Sequence, residues 1–148
     1  MQKLISVVLI LMLLPIPLPL EKGNDQMKEP ILKVKLVNFL GNKTEMKLKP
    51  SVNYKTSDSN IILQTGVTYI VKQKNGKLFL YKGEDLLNTY AIFKVQPMDN
   101  KGYIQINDRP YLGSFEFIVE NGQYVRPINS VDMEDYLKGV VPIEMYPS

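Results

Sequence analysis

The sequence contains neither cysteine nor histidine. Without cysteine there are no disulfides and no thiol nucleophile, and with histidine also missing the usual zinc ligands are gone. A Ser-His or Cys-His nucleophile pair cannot be built. Acid–base chemistry therefore falls to Asp, Glu, Lys or Tyr. The lack of cysteine also suits an exported protein that avoids stray disulfides. Net charge is small: 18 Lys and Arg face 15 Asp and Glu, which gives +3. Lys3 is the only charged residue before Glu21, so the remainder carries 17 basic and 15 acidic residues, or +2. That balance offers no basic stripe for nucleic acid. The groups Lys33/Lys35 and Lys72/Lys74/Lys77 read as solvated strand faces, with a weak preference for an anionic polymer as the other reading. No metal-ligand spacing stands out and no cofactor is implied.

The chain of 148 residues is long enough for one domain. It opens with Lys3 and then an uncharged, apolar span of 17 residues, Leu4 to Leu20. This is the pattern of a secretory signal, at the lower limit for crossing a bilayer. Pro15, Pro17 and Pro19 would disrupt the last turns of a helix there. No small-residue cleavage site follows, so a cleaved signal and a retained anchor both remain open for residues 1–20. Residues 21–30 are polar and read as a linker. The remaining part, roughly 120 residues, can bury a modest core.

From Ile31 the period is two. Leu32, Val34 and Leu36 alternate with Lys33 and Lys35, and Met46 and Leu48 alternate with Glu45, Lys47 and Lys49. Gly41-Asn42 is the turn between these strands. Pro50 to Asn60 reads as loop, and Ile61 to Leu63 is a short apolar run. Val67–Lys72 and Lys77–Tyr81 flank Asn75-Gly76, a hairpin signal because both residues tolerate positive φ. Ala91–Val95 and Tyr103–Ile106 flank the turn Asp99-Asn100-Lys101-Gly102. Tyr111–Val119 alternates, meets Asn121-Gly122 and returns through Tyr124 to Ile128. Residues 31–128 thus predict seven to nine short strands, with one helical turn open at Glu84–Asn88. Tyr54, Tyr69, Tyr81, Tyr90, Tyr103, Tyr111 and Tyr124 recur through these strands. Aromatics can line a glycan groove, but in strands they more often pack against cross-strand neighbours.

Residues 129–148 break the period. Asp132 is placed as an N-cap, with Glu134 and Asp135 in the first turn, where a helix dipole favours anions. Met133, Tyr136 and Leu137 form one apolar stripe. Gly139 suits the position after the helix, and Pro142 holds Val141 extended. The expected class is therefore α+β: mostly antiparallel β with short strands and hairpins, a short helix near the C-terminus, and an apolar leader helix at the N-terminus. Glu144 is the carboxylate projected beyond this corner. Burial beside Val140, Val141 and Ile143 would raise its pKa.

The run Ile128-Asn129, then Glu134-Asp135-Tyr136-Leu137-Lys138-Gly139-Val140-Val141-Pro142-Ile143-Glu144-Met145, resembles the hallmark of the sporulation stage II protein D family, which includes the amidase enhancers. That pattern reads V-N-x-x-x-x-E-x-Y-L-x-G-V-V-P-x-E-M. Tyr111-Leu112-Gly113-Ser114-Phe115-Glu116-Phe117 is similar to the family's β-rich entry. Ile128 replaces the usual Val, and Tyr146-Pro147-Ser148 stands where Met-Pro-x-Ser is common. The family continues with a Trp, a helix of the E-A-L-K-A-Q-A-V-A-A-R-T-Y type, and a second half whose Lys and Arg line the glycan groove; that half is expected to be missing here. The resemblance implies a lytic transglycosylase of bacterial peptidoglycan. Such an enzyme cuts between N-acetylmuramic acid and N-acetylglucosamine and leaves a 1,6-anhydro end. It implies Glu144 as the catalytic residue and Tyr136, Lys138 and Tyr146 as substrate contacts. One carboxyl group suffices, protonating the leaving oxygen and then taking the proton of the C6 hydroxyl. The implied partners are glycan strands and a cell-wall amidase, with membrane contact through the leader. A non-catalytic amidase enhancer and an inactive fragment are the alternatives, and the chain by itself is expected to be inactive.

Overall fold

A computed structural model describes residues 30–134. Twelve strands follow one another: β1 (Ile31–Lys35), β2 (Glu45–Pro50), β3 (Tyr54–Thr56), β4 (Ile62–Leu63), β5 (Tyr69–Lys74), β6 (Lys77–Lys82), β7 (Asp85–Tyr90), β8 (Phe93–Pro97), β9 (Tyr103–Ile106), β10 (Arg109–Leu112), β11 (Ser114–Glu120) and β12 (Tyr124–Asp132). They form two six-stranded sheets. The first runs β1-β12-β11-β8-β3-β4 and the second β10-β9-β2-β5-β6-β7. Every pairing is antiparallel.

The alternation that predicts the strands also sets their faces. In β2, Met46, Leu48 and Pro50 are buried while Glu45, Lys47 and Lys49 are exposed. In β5 and β6, Tyr69, Val71, Leu78 and Leu80 turn inward. They join Phe93, Val95, Phe115, Phe117 and Val125 of the first sheet in one apolar core. This is a sandwich, the arrangement that buries one face of each sheet against the other. A file of rings runs through it. Tyr90 meets Phe93 at 4.7 Å, Phe93 meets Phe117 at 5.8 Å, Phe117 meets Phe115 at 5.8 Å, and Phe115 meets Tyr111 edge-on at 5.9 Å. Tyr54, Tyr69 and Tyr111 are fully buried, so their rings pack in the core.

Over the described residues the expected α+β class is corrected to antiparallel β throughout. Among the described residues no helix forms an element, and Asp132, expected as an N-cap, is the last residue of β12 and pairs with Ile31. The reason is the edge that β1 supplies. Its backbone continues the ladder through Val131, which is buried, so the strand extends past Ile128. Met133 and Glu134 have helical backbone but form no element; the expected helix from Asp135 on, and the leader, lie outside the described residues.

Three further expectations change. Glu84–Asn88 is not a helical turn but belongs to the β6–β7 hairpin, which Gly83 opens at φ 62° and in which Lys82 pairs with Asp85. The stretch Pro50–Asn60 contains β3, whose Tyr54 is buried and pairs with Leu63 and Pro97. The turn at Asp99–Gly102 does not join a hairpin; β8 lies in the first sheet and β9 in the second. The hairpins at Asn75-Gly76 and Asn121-Gly122 form as expected, all four residues having φ between 52° and 78°.

Candidate functional site

Ile128-Asn129, the described start of the resembling run, lies beside the stretch Tyr111–Phe117. Phe115 of β11 pairs with Asn129 of β12, and Glu116 pairs with Ile128. Asn129 is buried, and its Nδ2 donates to the carbonyls of Leu112 at 2.8 Å and Ser114 at 3.1 Å. Those carbonyls flank Gly113, where the chain passes from β10 in the second sheet to β11 in the first. Gly113 has φ 92°, and a Cβ on it would stand 2.2 Å from the Ser130 carbonyl oxygen. Only glycine meets both the left-handed backbone and the close approach. The Gly113 carbonyl in turn accepts from the Tyr54 hydroxyl at 3.3 Å. Asn129 is thus a clamp: it donates to two carbonyls on either side of the kink between the sheets.

A second cluster holds the other end of β12. Arg126 is buried, and its Nε donates to Glu120 at 2.7 Å. Its Nη1 donates to the carbonyls of Leu36 and Gly41, each at 3.0 Å, and Nη2 donates to the Asn42 side-chain oxygen. The guanidinium fills the loop that follows β1. Glu120 also accepts from Lys35 at 2.9 Å. The Lys35 hydrogen bond, with help from Arg126, holds the Glu120 carboxyl below the usual range, against the opposing effect of burial. Nothing in the composition marked Arg126; only the pairing of distant carbonyls around it reveals its role.

Beside the Gly113 junction, a shallow cleft of about 260 Å³ is lined by Tyr103, Gln105, Pro110, Tyr111 and Leu112. Tyr103 and Gln105 also line a neighbouring cleft of about 330 Å³ that reaches Lys49, Ser51 and Thr65. Tyr103 is 40% exposed. The residues lining both clefts include an aromatic ring, an amide, hydroxyls and one lysine, but no carboxylate. This trough can bind a polar chain, but it holds no carboxylic acid. Among the described residues no three acidic side chains stand together as a metal site.

Tyr136, Lys138, Glu144 and Tyr146 lie outside the described residues, so no distance relates them to the trough or to Asn129. Comparison with known proteins finds no matching family model, no similar curated protein and no similar solved structure.

Proposed function

We propose that this protein remodels bacterial cell wall as a lytic transglycosylase of the sporulation stage II protein D type, with Glu144 as its acid and base. The observation that carries the proposal is the run Glu134–Met145 following Ile128-Asn129. The Asn129 clamp on the Leu112 and Ser114 carbonyls supports it, because it gives the motif's asparagine and the Gly113 turn one shared physical task. The protonated Glu144 donates to the glycosidic oxygen and that bond breaks. The resulting carboxylate then takes the proton of the sugar's C6 hydroxyl, whose oxygen closes onto C1 to give the 1,6-anhydro end. Export through the apolar leader places the protein with its substrate. A reporter fused after residue 30 and active only outside the membrane should be switched on.

Glu144→Gln tests the assignment. Glutamine keeps the shape but cannot donate the proton, so release of anhydro-muropeptides from purified peptidoglycan should fall by roughly 10²–10⁴-fold with binding retained. Near-normal release would reject it. The carboxylate-free trough favours a second reading, a wall-binding enhancer of an amidase. That reading requires faster amidase turnover on adding the protein, with no anhydro product.

A further inference from the structure

The outward face of the second sheet carries Lys47 and Lys49 on β2, Lys72 and Lys74 on β5, and Lys77 on β6. Lys47 meets Asp108 at 3.1 Å and Lys72 meets Glu45 at 3.6 Å. Lys49, Lys74 and Lys77 have no carboxylate partner among the described residues. Lys74 and Lys77 are moreover direct cross-strand neighbours. Like charges in that register destabilise a hairpin, and no carboxylate of the described residues pairs with either. On the first sheet Lys35, Lys94 and Arg126 each face a carboxylate.

Half-buried aromatic rings lie among these cations. Lys72 stands 5.6 Å from the centre of the Tyr81 ring and Lys74 stands 5.4 Å from that of Phe79. The face runs diagonally from the Lys74/Lys77 corner across β5 and β2 to Lys49, which lines the trough of Tyr103 and Gln105. From β6 to β9 it crosses three strand spacings, each about 4.8 Å. That is room for a polymer rather than for a single small anion.

We propose that this face docks a carboxylate-bearing polysaccharide. Uncompensated lysines supply point charges for hydrated carboxylates. The trough's ring, amide and hydroxyls supply neutral contacts for sugar. Single-stranded nucleic acid fits less well. Its grip relies on successive open ring faces for stacking and commonly on arginine, whereas here Lys72 and Lys74 stand over Tyr81 and Phe79 and Tyr103 is a single open ring. The two arginines are also engaged elsewhere, Arg126 in the β12 clip and Arg109 on the Phe39 ring at 3.7 Å. The docking surface is independent of Glu144 and of the reading built on it.

Fluorescence anisotropy of a labelled oligogalacturonate against the 148-residue chain tests the proposal. Binding should weaken as salt is raised, and by at least about tenfold in the variant combining Lys49→Gln, Lys74→Gln and Lys77→Gln. The variant combining Lys33→Gln, Lys55→Gln and Lys94→Gln makes the same change in net charge on the first sheet and should bind as the wild type does. Fully methyl-esterified oligogalacturonate, polyglutamate and oligothymidylate should each bind at least about tenfold more weakly than the acid sugar. Equal losses in the two triple variants would reduce the effect to net charge and overturn the proposal. So would the absence of binding, or polyglutamate or oligothymidylate binding as tightly as the sugar.

Discussion

Replacing Arg126 with methionine should cost about 3–5 kcal/mol, the range for breaking a buried charged network from one side. Methionine fills much of the same space, so little of the cost is cavity. The loss comes from stranded acceptors. The Leu36 and Gly41 carbonyls each lose a 3.0 Å bond from a charged donor, and the Asn42 side chain loses another. A hydrogen bond to a charged group is worth about 1.5–3 kcal/mol. Leu36 is fully buried, so water cannot replace its donor, whereas Gly41 is only half-buried and regains part of the loss. Glu120 keeps Lys35 as a partner. A domain of this size has about 5–15 kcal/mol in total, so the variant should lose a large part of its stability. Urea unfolding followed by tyrosine fluorescence should show the midpoint falling by at least about 1 M, given slopes of about 1–3 kcal/mol per M. Lys35→Met is the internal control. Its side chain is 38% exposed, and its removal should cost less than about 1 kcal/mol. If Arg126→Met cost as little as Lys35→Met, the guanidinium would not be what holds the loop after β1.

Gly113→Ala should destabilise by at least about 2 kcal/mol, from left-handed strain together with contact on the Ser130 carbonyl oxygen; a thermal melt within error of wild type would refute it. Asn129→Ala should cost about 2–4 kcal/mol, since two carbonyls at the Gly113 kink lose their donor, and amide exchange at the β11–β12 ladder should quicken. Stability should also fall in acid. Glu120 binds its proton less readily folded than unfolded, so its contribution is complete above the ordinary glutamate range and is lost as pH drops through the lowered folded value. Glu120→Gln should flatten that part of the pH profile, and an unchanged profile would show that the carboxyl is not linked to folding.

The sequence by itself determined the strand-rich class of the folded part and most of its faces. Met46/Leu48 and Leu78/Leu80 turn inward as their period of two requires, because successive side chains of a strand point to opposite faces. It also determined the turns at Asn75-Gly76 and Asn121-Gly122, where local backbone preference is decisive. Asn107-Asp108, the turn between β9 and β10, gave no such signal, having no glycine although both residues have positive φ. Its strain is offset from a distance: the Asn107 side-chain oxygen accepts from the Lys47 backbone at 2.8 Å. Tertiary structure alone decided which sheet each strand joins. The β8–β9 connection looks like a hairpin in sequence yet crosses between sheets, because β8 finds its partners in β3 and β11. It also decided that β12 runs on to Asp132, since that depends on the edge of β1, nearly a hundred residues earlier in the chain. The roles of Arg126 and Asn129 were hidden for the same reason. A buried polar side chain is explained by the carbonyls it satisfies, and those of Leu36, Gly41, Leu112 and Ser114 reach it only once the sheets have formed.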